Sequence, residues 1–362
     1  MDMRENMLSL YRREGYEKAP AGFNLCPSKI EEFQRKHPEA ESYQDYFEFP
    51  YRIVVDPGFG WAFENNGLLP ERNVDWNEFY PEGFSHRVDF DIWGVAHEEN
   101  PNSMHMTQMH HPMQDFDSVE QIENYPWPDF TGVDFEQFAD SCRNIRSRGL
   151  AVFVWMECTI WETAWYIRGM DNLMLDMTMG DPKASRLLDI ITEKACYRAE
   201  KFAAMDSDIL GLGDDIGMQN TTIMSPEMYR EWLQPRLKKV IDAAKSVNPD
   251  ILISYHSCGK ATGLIPELIE AGIDILNPVQ PECMDFEKVH ADFGDKISFN
   301  GTIGTQQLMP FGTPQEVKDQ VKKNLDIAGQ KGGLFCCPSH VIEPEVPWEN
   351  IEAYVEACRE YK

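Results

Sequence analysis

Short runs of β-branched and other apolar residues alternate along this chain with longer stretches in which apolar and polar positions repeat at a helical period. The short runs fall at residues 21–24, 151–155, 209–213, 251–255, 273–276, 297–300 and 333–337, the length and composition of buried strands. Between them, residues 184–205 carry Leu187, Leu188, Ile191, Ala195, Ala199 and Phe202, which share one face of a helix. Ser225 and Pro226 read as the cap and first-turn proline of the next helix, where Pro235 should introduce a kink. Thr313-Pro314-Gln315-Glu316 is a capping box, and Gly329 ends the helix it opens. Pro347 starts the last helix, with Ile351, Val355 and Cys358 on one face.

Strands joined by short connections through helices require a parallel sheet. No Gly-x-Gly-x-x-Gly or Gly-x-x-x-x-Gly-Lys follows any of the strands, so a nucleotide-binding doubly wound sheet lacks its usual mark. A (β/α)8 TIM barrel suits the length of 362 residues and the number of runs better. We expect one barrel domain over residues 1–362, with residues 26–150 contributing an irregular N-terminal cap or insertion. That segment is Pro- and Trp-rich, as in Tyr125-Pro126-Trp127-Pro128-Asp129-Phe130.

Charge narrows the partners. A formal net charge of −28 opposes binding to nucleic acid or anionic membranes, both of which demand neutralisation of phosphates. No apolar run approaches a membrane span, and the charged start Met1-Asp2-Met3-Arg4-Glu5-Asn6 has no secretory core. Nine cysteines without regular spacing point to a cytoplasmic protein with free thiols and a metal rather than to disulfides.

In a barrel the chemistry sits at the carboxyl ends of strands. Two cysteine-bearing segments fall there: Tyr255-His256-Ser257-Cys258-Gly259 and Phe335-Cys336-Cys337-Pro338-Ser339-His340. Alternation points His256 and Cys258 the same way, and Cys337 could add a third ligand to a zinc site with one open position. The alternative is a buried thiol packed beside a hydrogen-bonded histidine. Gly213-Asp214-Asp215 closes another strand, so one carboxylate should face the barrel mouth as metal ligand, acid or base. Glu157 and Glu162 read either as first-turn helix charges or as further acids. His105, His110 and His111 read as part of a polar loop. Trp93, Trp155, Trp161, Trp165 and Phe335 are either core or the lining of an aromatic pocket.

The C-terminal half also resembles the uroporphyrinogen decarboxylase superfamily, in particular its cobalamin-dependent methyltransferase branch. The resemblance is carried by Gly213-Asp214-Asp215-Ile216-Gly217-Met218-Gln219, Ser225-Pro226-Glu227-Met228-Tyr229, His256-Ser257-Cys258-Gly259 and Asn277-Pro278-Val279-Gln280. It continues through Pro338-Ser339-His340-Val341-Ile342-Glu343-Pro344 and Pro347-Trp348-Glu349-Asn350-Ile351. It implies a barrel and a zinc site on His256, Cys258 and a third ligand that is Cys337, His340 or a carboxylate. It further implies methyl transfer between a small molecule and the corrinoid (cobalamin) of a separate corrinoid protein, because this chain has no Asp-x-His-x-x-Gly. A methoxylated aromatic is the expected donor. Around Ala21-Gly22-Phe23-Asn24-Leu25-Cys26 the chain lacks the arginines with which decarboxylase members hold their substrate. A metal-independent lyase and a non-catalytic binding subunit are the competing readings.

Overall fold

The computed structural model describes residues 1–58, 69, 72–101, 103 and 107–361. Its strands are β1 (Tyr51–Val55), β2 (Val88–Phe90), β3 (Ala96–Glu98), β4 (Gln108–His110), β5 (Ala151–Trp155), β6 (Ile209–Gly213), β7 (Leu252–His256), β8 (Ile275–Val279), β9 (Ser298–Ile303) and β10 (Leu334–Pro338). Seven of these form one curled sheet in the order β1-β5-β6-β7-β8-β9-β10. Every pair in it is parallel. Ala151, Val152 and Val154 of β5 have no exposed surface, as expected of a sheet whose two faces are both covered. Helices Pro182–Ala203 and Gln234–Val247 pack against each other outside it. The architecture is an α/β barrel, as the alternation of runs predicts, with seven parallel strands among the described residues.

The predicted strand at residues 21–24 is extended chain without a ladder. It lies where the sheet does not close, between β10 and β1. Asn24 accepts from the Ile342 amide at 2.8 Å and Cys26 donates to the Ile342 carbonyl at 3.1 Å, a single bridge. A Cβ on Gly22 would stand 3.0 Å from the Tyr51 ring of β1 and 3.1 Å from the Phe335 ring of β10, so glycine is what lets the segment lie against both strands. The first parallel strand is instead β1, inside the segment read as irregular. Arg52 obscures its pattern; that side chain turns back to the carbonyls of Phe49 and Tyr51 at 3.1 and 2.7 Å.

Residues 26–150 also hold the small antiparallel sheet β2-β3-β4 and the helix Glu136–Ser147. His110, read as loop, ends β4 and meets Glu98 of β3 at 2.8 Å. His111 donates to the Tyr166 carbonyl at 2.7 Å, and His105 lies outside the described residues. At Pro235 the helix breaks rather than bends. Pro226–Trp232 and Gln234–Val247 are separated at Leu233, because Pro235 has no N–H for the Glu231 carbonyl.

One buried ion pair joins the outer layer to the rim. Arg198 of helix Pro182–Ala203 meets Asp56, the residue after β1, with side chains 1% and 0% exposed. The guanidinium also lies 4.7 Å from the Phe130 ring centre and 5.8 Å from that of Trp93. Removing one partner would leave a charge buried alone, at about 3–5 kcal/mol. Arg198→Ala should therefore lower the urea midpoint by that equivalent, while the apolar double variant Asp56→Leu/Arg198→Met recovers most of it. A single variant within ~1 kcal/mol of wild type would contradict this account.

Candidate metal centre

The first determinant of the site is a backbone contact. The loops leaving β6 and β7 meet at Gly217 and Gly259; a Cβ on Gly259 would fall 2.7 Å from the Gly217 carbonyl carbon. Gly259 also has φ +78°, a conformation that glycine adopts without strain. This approach sets Asp215 beside Cys258, whose amide donates to Asp215 Oδ1 at 2.7 Å. Between the two sulfur-site residues Ser257 is turned under, its hydroxyl accepting from the Ile216 amide at 3.1 Å.

His256 ends β7, and its Nε2 stands 3.5 Å from Cys258 Sγ and 3.8 Å from Asp215 Oδ1. Donor atoms of all three lie within 4.8 Å of one another. Tetrahedral zinc with one sulfur, one nitrogen and one oxygen needs separations of about 3.4–3.6 Å, so the three donors fit with little movement. The mixed imidazole, thiol and carboxylate set is also of the type zinc takes.

The imidazole is oriented from behind. Its Nδ1 lies 2.7 Å from Asn277 Oδ1, which puts the ring proton on Nδ1 and leaves the Nε2 lone pair toward Cys258 and Asp215. Asn277 of β8 donates to Asn300 Oδ1 of β9 at 2.8 Å, and Asn300 donates to the Tyr11 hydroxyl at 2.7 Å. Cys337 of β10 donates to the same Asn300 oxygen at 3.0 Å. A chain of amides thus runs across the strand ends.

Carboxylates crowd the other side. Glu157 Oε1 is 3.3 Å from His256 Nδ1. Burial pushes the Glu157 carboxyl up to about 7; His256 opposes the shift, while Glu162 and Asp215 add to it. Burial alone would lower the imidazole of His256, but Glu157, Cys258 and Asp215 outweigh it and raise its affinity for a proton. A metal at Nε2 competes with that proton.

These groups border a cavity of about 230 Å³ at the carboxyl ends of the strands. Tyr51, Phe153 and Trp155 line it together with Glu157, His256, Asn277 and Asn300. No lysine or arginine is among its described lining residues.

The residues singled out from sequence are distributed unevenly. Asp214 is 4% exposed and turned away, accepting from the amides of Ile160 at 3.1 Å and Glu162 at 2.9 Å at the start of helix Trp161–Arg168. Glu162 backs the centre, accepting from the Asp215 amide at 3.0 Å and the Tyr166 hydroxyl at 2.8 Å. Cys337 and His340 line the cavity without joining the three donors. Of the five aromatics only Trp155 lines it, its ring 6.3 Å from that of His256. Trp93 and Trp161 are buried elsewhere, Trp165 packs on Tyr166, and Phe335 stacks on Tyr11. Tyr51, Phe153, Asn277 and Asn300 were missed. The available signal was an asparagine at the end of two apolar runs, at positions 277 and 300.

Fold and site define a parallel α/β barrel with soft and hard metal donors side by side at its strand ends. The family model for uroporphyrinogen decarboxylase (URO-D) matches residues 102–361, and the chain belongs to that family. It is 30% identical over 204 residues to a methylated-thiol–coenzyme M methyltransferase of Methanosarcina mazei, covering 54% of this chain and 50% of that one. A methylcobamide:CoM methyltransferase MtaA of Methanosarcina barkeri is 29% identical over 174 residues, covering 48% of each. The chain thus spans about half the length of these curated relatives. A uroporphyrinogen decarboxylase of Pseudoalteromonas atlantica is 25% identical over 261 residues, covering 67% of this chain and 69% of that one. A solved methyltransferase structure from Methanosarcina mazei superposes over 99% of both chains with a TM-score of 0.68 at 16% identity, a likeness of fold.

Because Asn277 is the nearer of two acceptors for the His256 Nδ1 proton, at 2.7 Å against 3.3 Å for Glu157, Asn277→Ala should weaken zinc binding by up to about 10- to 100-fold, read by competition with a chromophoric chelator. Unchanged affinity would remove Asn277 from the support of the site.

Proposed function

We propose that this chain is a zinc-dependent methyltransferase that moves a methyl group between a small molecule and the corrinoid of a separate protein. The observation that carries the reading is the convergence of His256, Cys258 and Asp215 beside a small, aromatic-walled cavity. Those three side chains would hold the metal, which when bound acts as a Lewis acid toward the heteroatom that gives or receives the methyl group. The relatives named as coenzyme M methyltransferases support methyl transfer as the class of reaction.

The chain's own residues supply the rest. Asn277 fixes the His256 tautomer, and the Cys258 amide holds Asp215 in place. Tyr51, Phe153 and Trp155 give the cavity flat apolar faces suited to an aryl methyl ether or a methylated onium group. Glu157, which lines the cavity and whose carboxyl burial pushes up to about 7, is the group there suited to take or return a proton. A porphyrinogen substrate is disfavoured, since its several carboxylates would meet Glu157 and no lysine or arginine among the described lining residues of a cavity of about 230 Å³.

Metal-stripped protein reconstituted with zinc should hold about one zinc per chain, the content of one closed donor set, and Cys258→Ser should lose it. With cob(I)alamin as acceptor, the zinc form should give methylcobalamin from the right donor, followed by its visible spectrum. Cys258→Ser should cut that rate about 100-fold or more, the scale of a lost Lewis acid. No stoichiometric zinc in wild type, or undiminished transfer in the variant, would sink the metal mechanism. A panel of methoxylated aromatics, methylated thiols and methylated amines then identifies the donor class.

A further inference from the structure

Charge in the cavity is unbalanced. Its described lining contains no lysine or arginine, yet includes Glu157, and Asp215 lies 3.8 Å from the lining residue His256. Glu157 has one ionic neighbour, His256 Nδ1 at 3.3 Å, and that nitrogen already pairs with Asn277 at 2.7 Å. A dication held by His256, Cys258 and Asp215 would be balanced by the thiolate and the Asp215 carboxylate, and Glu157 would stay a further acidic group at the cavity.

The wall beside that carboxylate is aromatic and continuous. Ring centres of Tyr51 and Phe153 are 6.2 Å apart, those of Phe153 and Trp155 5.9 Å. Trp155 is two residues before Glu157, so one strand end presents both an indole and a carboxylate to the cavity. Aromatic faces beside a carboxylate attract organic cations through the ring quadrupole and the fixed charge together. The net charge of −28 adds a long-range field of the same sign.

We propose that this cavity selects a small organic cation, its ammonium group seated between Glu157 and the faces of Trp155, Phe153 and Tyr51. The inference rests on the cavity being the methyl-exchange site and narrows the substrate to a cationic donor or acceptor. Neutral molecules of the same shape forgo the attraction of the Glu157 carboxylate, and anions meet its repulsion with no lysine or arginine among the described lining residues to offset it.

The test is direct binding to the full chain, with and without zinc, by calorimetry and Trp fluorescence. The probes are choline, its neutral carbon isostere 3,3-dimethylbutanol, and the anion 3,3-dimethylbutanoate. In the zinc-free protein choline should bind about 10-fold or more tighter than the neutral isostere, the scale of a partly desolvated cation–π contact with an added charge, and the anion should not bind. With zinc present a carboxylate can reach the metal, so the choline-to-isostere ratio is the readout. Glu157→Gln should bring the choline-to-isostere ratio close to one while keeping its zinc. Trp155→Leu should weaken choline more than the isostere. Equal or tighter binding of the neutral probe by wild type overturns the inference, whatever the variants do. So does a preference that survives Glu157→Gln. Choline preference without methyl transfer from any donor would instead overturn the proposed reaction and leave the cation site. Methyl transfer from neutral ethers without choline preference would do the reverse.

Discussion

Gly217 and Gly259 touch where two loops leave the sheet, and the whole rim is built on that contact. A Cβ at Gly217 would stand 2.6 Å from the Cys258 carbonyl oxygen, so any side chain there forces the loops apart. Their separation would carry Asp215 away from Cys258, because the hydrogen bond between them spans the same gap. Proximity of the three donors is therefore a property of backbone packing.

Behind that contact, the asparagine chain converts strand register into imidazole orientation. β7 is paired with β8 so that His256 stands opposite Asn277, and Asn277 reaches Asn300 of β9. Slipping any of these strands by one residue would turn the amides to the other face of the sheet. The site thus samples the accuracy of three adjacent strands. The carboxylates opposite pull in the other sense, favouring a protonated ring, and the amide chain holds its geometry against them.

Much of this was readable in the residues. The apolar runs at positions 151–155 and 209–213 coincide with strands, and those nearer the C-terminus are displaced by one to three residues. His256 and Cys258 do meet, as alternation requires. The failures have physical causes. A guanidinium bonded back to its own strand hid β1, while residues 21–24 have strand-like composition but fill the seam. Adjacent carboxylates at positions 214 and 215 are indistinguishable in sequence, yet the turn after β6 spends one on a helix start and leaves the other beside His256 and Cys258. Five aromatics near a rim look alike, although four of them pack elsewhere. Which side a ring faces is decided by tertiary packing, and no local pattern records it.

The seam at Gly22 has a mechanical consequence. Six strand-to-strand ladders carry the curled sheet around, and each resists spreading through several backbone bonds at once. Between the last strand and the first, the described residues offer the inserted segment's two backbone bonds to Ile342 and its contacts with Tyr51 and Phe335. Compliance of the ring is concentrated on that line, as in a bracelet with one clasp. Tyr51 and Cys337 both flank the clasp and both line the cavity. The width of the chamber is therefore coupled to the least-bonded line among the described residues, which lies away from the strand ends of β6 and β7 where the donors sit.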